Sequence, residues 1–162
     1  FITVGIGYTF IQNYSYSEFS TPIDTQENNL WQQLFIKQPF HSFTLSHRLR
    51  FEERFQDKIA TIEDHSEITG SNYGNRLRYR FIIEVPVFKK PKISVLAYDE
   101  VFLDFKKRLQ PKKLDQNWMF LGLRFQENEY ITITSGYHYI NIPRTEIVIN
   151  NHIWETSVMF TL

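Results

Sequence analysis

The chain has 162 residues, with 18 Lys+Arg balanced by 18 Asp+Glu, five His, no Cys, and 15 Phe, 9 Tyr and 3 Trp. That length suits one domain, residues 1–162, and is enough to close a sizeable core or a small barrel. Balanced charge argues against a nucleic-acid partner gathered by bulk electrostatics. The lack of Cys removes disulfide frameworks, thiolate metal sites and thiol nucleophiles together. The longest apolar run, Trp118–Leu123, falls far short of the roughly 20 residues of a membrane-spanning helix.

The chain opens inside an alternating segment, which leads us to expect strand sequence ahead of residue 1. Segment 1–11 sets Ile2, Val4, Ile6, Tyr8 and Phe10 against Thr3, Gly5, Gly7 and Thr9; this is the period of two that marks a strand. A polar stretch, 12–29, follows. Segment 30–38 alternates less cleanly and ends at Pro39. Segment 42–56 sets Phe43, Leu45, His47, Leu49, Phe51 and Phe55 against Thr44, Ser46, Arg48, Arg50, Glu52 and Arg54. After a polar stretch at 57–74, segment 75–88 sets Leu77, Tyr79, Phe81, Ile83, Val85 and Val87 against Arg76, Arg78, Arg80 and Glu84. A tight basic turn at Lys89–Lys92 leads to 93–105, and 106–115 reads as a loop. Segments 116–127, 130–141 and 150–162 complete the chain, separated by a turn near Glu127–Glu129 and a loop at 142–149.

Eight strands of mostly 11 to 15 residues exceed the globular norm of about 5–6 and reach the about 9–11 of a tilted membrane-spanning strand. Long connections alternate with short turns, as in outer-membrane barrels. The expected fold is therefore all-β, an antiparallel up-and-down transmembrane β-barrel.

The cations indicate which face is which. Arg48, Arg50, Arg54, Arg76, Arg78, Arg80 and Arg124 lie within strands, whereas Lys gathers in loops, turns and strand ends. An enclosed face selects Arg, whose planar fork holds carboxylates at fixed geometry, over the strongly hydrated Lys. A tight 89–92 turn opposes residues whose numbers sum to about 180, so Arg80 meets Glu100 and Arg76 meets Asp104. Glu52, Glu84 and Glu155 supply further acids to the same face. The interior is expected to be plugged by these pairs. The last strand, with Trp154, Val158, Phe160 and Leu162 on one face, has the apolar ending of outer-membrane barrels, although Phe or Tyr is more usual than Leu at the end.

The strings HRLRFEERF (47–55), NRLRYRF (75–81), AYDEVFLDF (97–105), DQNWMFLGLRF (115–125) and SGYHYIN (135–141) occur in that order. Together they resemble the bacterial outer-membrane barrel family catalogued as domain of unknown function 2490, along roughly the whole chain. The resemblance implies location in the outer membrane and no known catalytic activity. Family members carry further strand-like sequence before the GYTF-like strand found here at 7–10, which implies about ten strands in all. Where the family tends to have Arg after DQN, this chain has Trp118.

For chemistry the sequence offers little. No HxxxH or HExxH occurs, so neither a metal site nor a cofactor is expected, and no catalytic residue is assigned. His47 interrupts an apolar face, and a tight turn near Pro39 would put it beside Gln32; the two form a polar spot suited to a partner or to lipid. His138 is expected to point inward near Trp118. Asp99 and Glu100 must face opposite sides of a regular strand, so a bulge or a membrane boundary is expected there. The basic segment with Lys106, Lys107, Arg108, Lys112 and Lys113 suits contact with lipopolysaccharide phosphates. The leading function is a non-enzymatic outer-membrane anchor or partner subunit of an envelope assembly. The alternatives are a lipid-modifying enzyme of the barrel wall and a soluble lipocalin-like binder of small ligands.

Overall fold

Aromatic and β-branched residues at every second position favour extended pairing, and the computed structural model bears this out over the residues it describes, 1–16, 20–62, 65–90, 92–106, 110–144 and 147–161 (side chains of 106 and 110–113 excepted). The strands are β1 (Ile2–Asn13), β2 (Thr25–Pro39), β3 (Thr44–Ile62), β4 (His65–Lys89), β5 (Lys92–Lys106), β6 (Gln110–Gln126), β7 (Ile131–Pro143) and β8 (Val148–Phe160). No described residue is helical. Each strand pairs antiparallel with the next in chain order, giving one eight-stranded sheet curled into a half-barrel, with β1 and β8 as its edges.

The strands run further than hydrophobic alternation alone indicated. Residues 57–74 are no loop: β3 and β4 stay paired out to Ile62 and His65. Likewise 110–115 belongs to β6, which pairs with β5 out to Lys106 and Gln110. Backbone hydrogen bonds hold such ribbons together without an apolar face, so polar composition hid them. The contrast between ends survives as hairpin length rather than loop length. The 89–92 turn is tight, as expected, and Arg80 lies opposite Glu100 and Arg76 opposite Asp104. The turn after β2 is wider than expected, because the Phe40 amide donates to the Phe43 carbonyl at 2.8 Å and the two rings stack. That shifts the register, so His47 lies opposite Ile36, and Gln32 opposite Phe51. The expected neighbours His47 and Gln32 are thus four residues apart along the sheet.

No bulge interrupts Asp99–Glu100. The register shifts instead at Lys58/Ile59, Pro86/Phe88, Phe102/Leu103 and Asp104/Phe105.

Burial is inverted relative to a water-soluble domain. The buried hydrophobic residues are Leu96, Phe102 and Phe120, whereas Glu52 and Glu100 are 1% and 0% exposed. Conversely Ile6 is 80% and Trp154 73% exposed. Large inner side chains need room against the wall, and glycine supplies it. A Cβ on Gly7 would overlap the Trp31 ring. Gly122 and Gly136 face each other with the Phe120 ring tip above them, so a Cβ on either would strike the other's backbone.

Candidate functional site

The inner face of β2–β6 carries a dense set of ion pairs, centred on the arginines of β3 and β4. Arg48 lies opposite Arg80, and Arg50 opposite Arg78. Such like-charged cross-strand pairs repel. The relief comes from the neighbouring strand. Glu100 on β5 reaches between them and accepts from Arg48 at 2.5 Å, Arg78 at 2.9 Å and Arg80 at 2.5 Å. Glu52 bridges Arg76 at 2.6 Å and Arg78 at 2.9 Å. Arg54 grips Glu27 with two bonds of 2.7 and 2.8 Å and lies 3.6 Å from Asp104. Arg124 pairs with Glu84 at 2.5 Å. Arg50 donates to Gln33 and lies 4.1 Å above the Trp31 ring. Aromatic faces cover other cations: Arg78 lies 4.3 Å over Phe102 and Arg80 4.1 Å over Tyr98. These contacts add attraction where water is excluded.

Two carboxylates of this network escaped the sequence reading. Glu27 lay in a segment read as loop; counting the register outward from the 40–43 turn would have placed it beside Arg54. Asp115 has the wrong parity for the inner face of β6. Because Gln116 pairs with Phe102 and Leu114 with Leu103, Asp115 is an extra residue in a bulge. The bulge turns it inward, 3.3 Å from Arg76. Arg76 therefore pairs with Glu52 and Asp115 while it stands opposite Asp104 across the register.

His138 points inward as expected. Its Nδ1 lies 2.7 Å from Glu155, its Nε2 3.4 Å from the Tyr98 hydroxyl, and the Trp118 ring stands edge-on at 5.3 Å. These groups line a 250 Å³ cavity with Arg80 and Arg124. Both imidazole nitrogens have partners and the ring is 5% exposed, so His138 is a packed polar residue rather than a free base.

The outer face is a continuous apolar surface that turns polar along a line. The change falls between Phe10 and Gln12 on β1, Leu30 and Asn28 on β2, Phe51 and Glu53 on β3, Leu77 and Asn75 on β4, Met119 and Asn117 on β6, Tyr139 and Asn141 on β7, and His152 and Asn150 on β8. Tyrosine hydroxyls bridge this line: Tyr8 donates to Asn28 at 2.5 Å and Tyr139 to Asn150 at 2.7 Å. Gln32, His47 and Asp99 interrupt the apolar side. The His47 Nδ1 lies 2.8 Å from the Tyr79 hydroxyl, and its ring packs against Phe81. Asp99 accepts from Asn117 at 2.5 Å. Among the described residues no Ser partners His47, and no group of three His, Asp or Glu is arranged to hold a metal ion. Of the basic segment, Lys107 and Arg108 lie outside the described residues. The backbone of Lys106 belongs to β5 and that of Lys112 and Lys113 to β6.

The sequence pattern of the family described as Protein of unknown function (DUF2490) matches residues 1–151, and the chain belongs to that family. No curated protein and no solved structure matches it.

Proposed function

We propose that this DUF2490 member is a wall of a bacterial outer-membrane β-barrel, its outer face in lipid and its interior plugged by the Arg–carboxylate network. In this reading it is a non-enzymatic anchor or partner subunit of an envelope assembly. The observation that carries the proposal is the inverted burial: exposed Ile, Val, Leu and Trp outside, buried Glu and Arg inside. A solvated protein would gain by the reverse arrangement, at about 25 cal/mol per Å² of apolar surface.

Two dimensions support it. Measured on the outer face, the apolar band runs from Ile2 to Phe10 on β1 and from Ile131 to Tyr139 on β7, close to the about 9–11 residues of a spanning strand. The register row Ile2–Ile36–His47–Phe81–Asp99–Met119–Tyr139–His152 crosses all the strands. The polar transition sits at Phe10 on β1, eight residues from that row, and at His152 on β8, on the row itself. A drift of about eight residues over seven steps, at about 3.3 Å per residue and 4.8 Å per strand, inclines the strands by about 40° to the normal of the transition line. Membrane barrels tilt by about 35–45°.

Lipid offers no partner for unpaired backbone groups, so in this reading β1 and β8 pair with each other or with further strands to close the barrel. The end with the longer hairpins faces outward. By sequence, the basic segment that holds Lys106, Lys107, Arg108, Lys112 and Lys113 suits contact with lipopolysaccharide phosphates. The test is the full-length gene product in isolated outer membranes, run in detergent gels with and without boiling. A compact fast band that slows on heating is expected. One mobility, with the protein in the soluble fraction, would overturn the proposal.

A further inference from the structure

His47 and Asp99 are ionisable side chains within the apolar outer band, with His152 at its edge on β8, and the first two stand on one register row with Phe81 between them. Asp99 is exposed on its strand between Ala97 and Val101, and Asn117 is its hydrogen-bond partner. No cation among the described residues comes within ion-pair distance of it. The change falls between Leu77 and Asn75 on β4 and between Met119 and Asn117 on β6. Their partners on β5 place it between Val101 and Leu103. Asp99 is therefore about three residues, about 8 Å along a strand tilted by about 40°, inside the band. An ionisable group facing lipid at that depth is costly and calls for a partner.

We propose that the β3–β5 wall is a self-complementary interface, in which two copies of this chain pack about a two-fold axis beside Phe81. The His47–Tyr79 pair of each copy then faces Asp99 of the other. This rests on the membrane reading above.

Three features carry it. A two-fold interface places position i against j and j against i, and here a hydrogen-bonded His–Tyr pair and a carboxylate with no ion-pair partner among the described residues flank one aromatic ring. The flanking positions are two strand spacings, about 10 Å, apart, which suits facing side chains across an axis. Because the row climbs with the strand tilt, His47 sits deeper than Asp99. Tyr79, two residues beyond Phe81 on β4, restores the donor to the depth of Asp99. The His47 Nδ1 lies 2.8 Å from the Tyr79 hydroxyl; in the proposed interface Nδ1–H donates to that hydroxyl, whose own O–H is then free to donate to Asp99 of the other copy. Two such bonds replace lipid around two carboxylates. Phe81, Ile83 and Leu49 supply the apolar contact around them, 37% exposed at Phe81 and 43% at Leu49 in the single copy.

The 162 residues contain no Cys, so a disulfide test starts clean. Phe81→Cys and, separately, Ile83→Cys are made in the full-length protein and oxidised in native outer membranes, with Ile6→Cys on β1, three strands from β4, and Leu121→Cys on β6, beyond the β5 edge of the contact, as controls. Phe81→Cys or Ile83→Cys should give a disulfide-linked dimer in high yield, and Ile6→Cys and Leu121→Cys should not. Adding Asp99→Asn should lower the dimer yield several-fold. Heat-modifiable but monomeric Phe81→Cys and Ile83→Cys would overturn the interface and leave the barrel standing. Equal cross-linking at Ile6→Cys or Leu121→Cys would overturn it too, as random collision. Protein recovered outside the membrane would instead overturn the reading on which the interface rests.

Discussion

Leu49 and Arg50 are neighbours in β3, yet they belong to opposite worlds. Leu49 stands exposed on a face shared with Phe51 and Leu77, while Arg50 sits among Gln33, Trp31 and the other arginines. A soluble sheet with one covered face shows the same period of two, and period alone does not say which face is covered. The two faces differ in how each would respond to a change of solvent. The inner face owes its order to specific, directional pairs that tolerate no missing member. The outer face owes its place to area alone and tolerates exchange of one apolar residue for another.

Removing Glu100 should break this contrast most severely. Its loss leaves Arg48, Arg78 and Arg80 together with no shared acceptor, and breaking a buried charge cluster costs about 3–5 kcal/mol. Glu100→Ala should therefore lower the midpoint of chemical unfolding in lipid sharply or prevent assembly altogether; an unchanged midpoint would mean that the arginines are water-solvated. Leu121→Arg attacks the other face. It should cost about 2–4 kcal/mol in a bilayer, read as a loss in reversible unfolding from vesicles, whereas on a water-washed surface it would be near neutral. Gly136→Ala probes the wall between the faces, where overpacking against Gly122 should cost about 1–3 kcal/mol in the same assay. Glu155→Gln should be the mildest. The side chain is 43% exposed, and an exposed pair with His138 contributes below about 1 kcal/mol.

Much of this architecture was legible in the residues. Alternation located all eight strands, and the tight basic turn set the β4–β5 register that opposes Arg80 and Glu100. The distribution of Arg against Lys marked the inner, concave face of the sheet. What escaped had two physical causes. Backbone pairing extends through polar sequence, so Glu27 and the outer half of the β3–β4 hairpin gave no hydrophobic signal. Single-residue changes in geometry also invert parity or shift register: the bulge at Asp115 turned a residue inward, and the four-residue turn at 40–43 separated His47 from Gln32. Both departures arise where a strand or turn takes on an extra residue, which alternation cannot count.

The central claim is that outward side chains of a mid-sheet strand meet lipid and inward ones meet a packed polar interior. Spin labels placed singly at 118, 119, 121, 123 and 124 of β6 in the membrane-embedded protein test it most directly. High accessibility to oxygen and low accessibility to a water-soluble nickel complex are expected at 119, 121 and 123, with immobile labels shielded from oxygen at 118 and 124. Nickel accessibility at 119, 121 and 123 equal to that of an aqueous loop would contradict it.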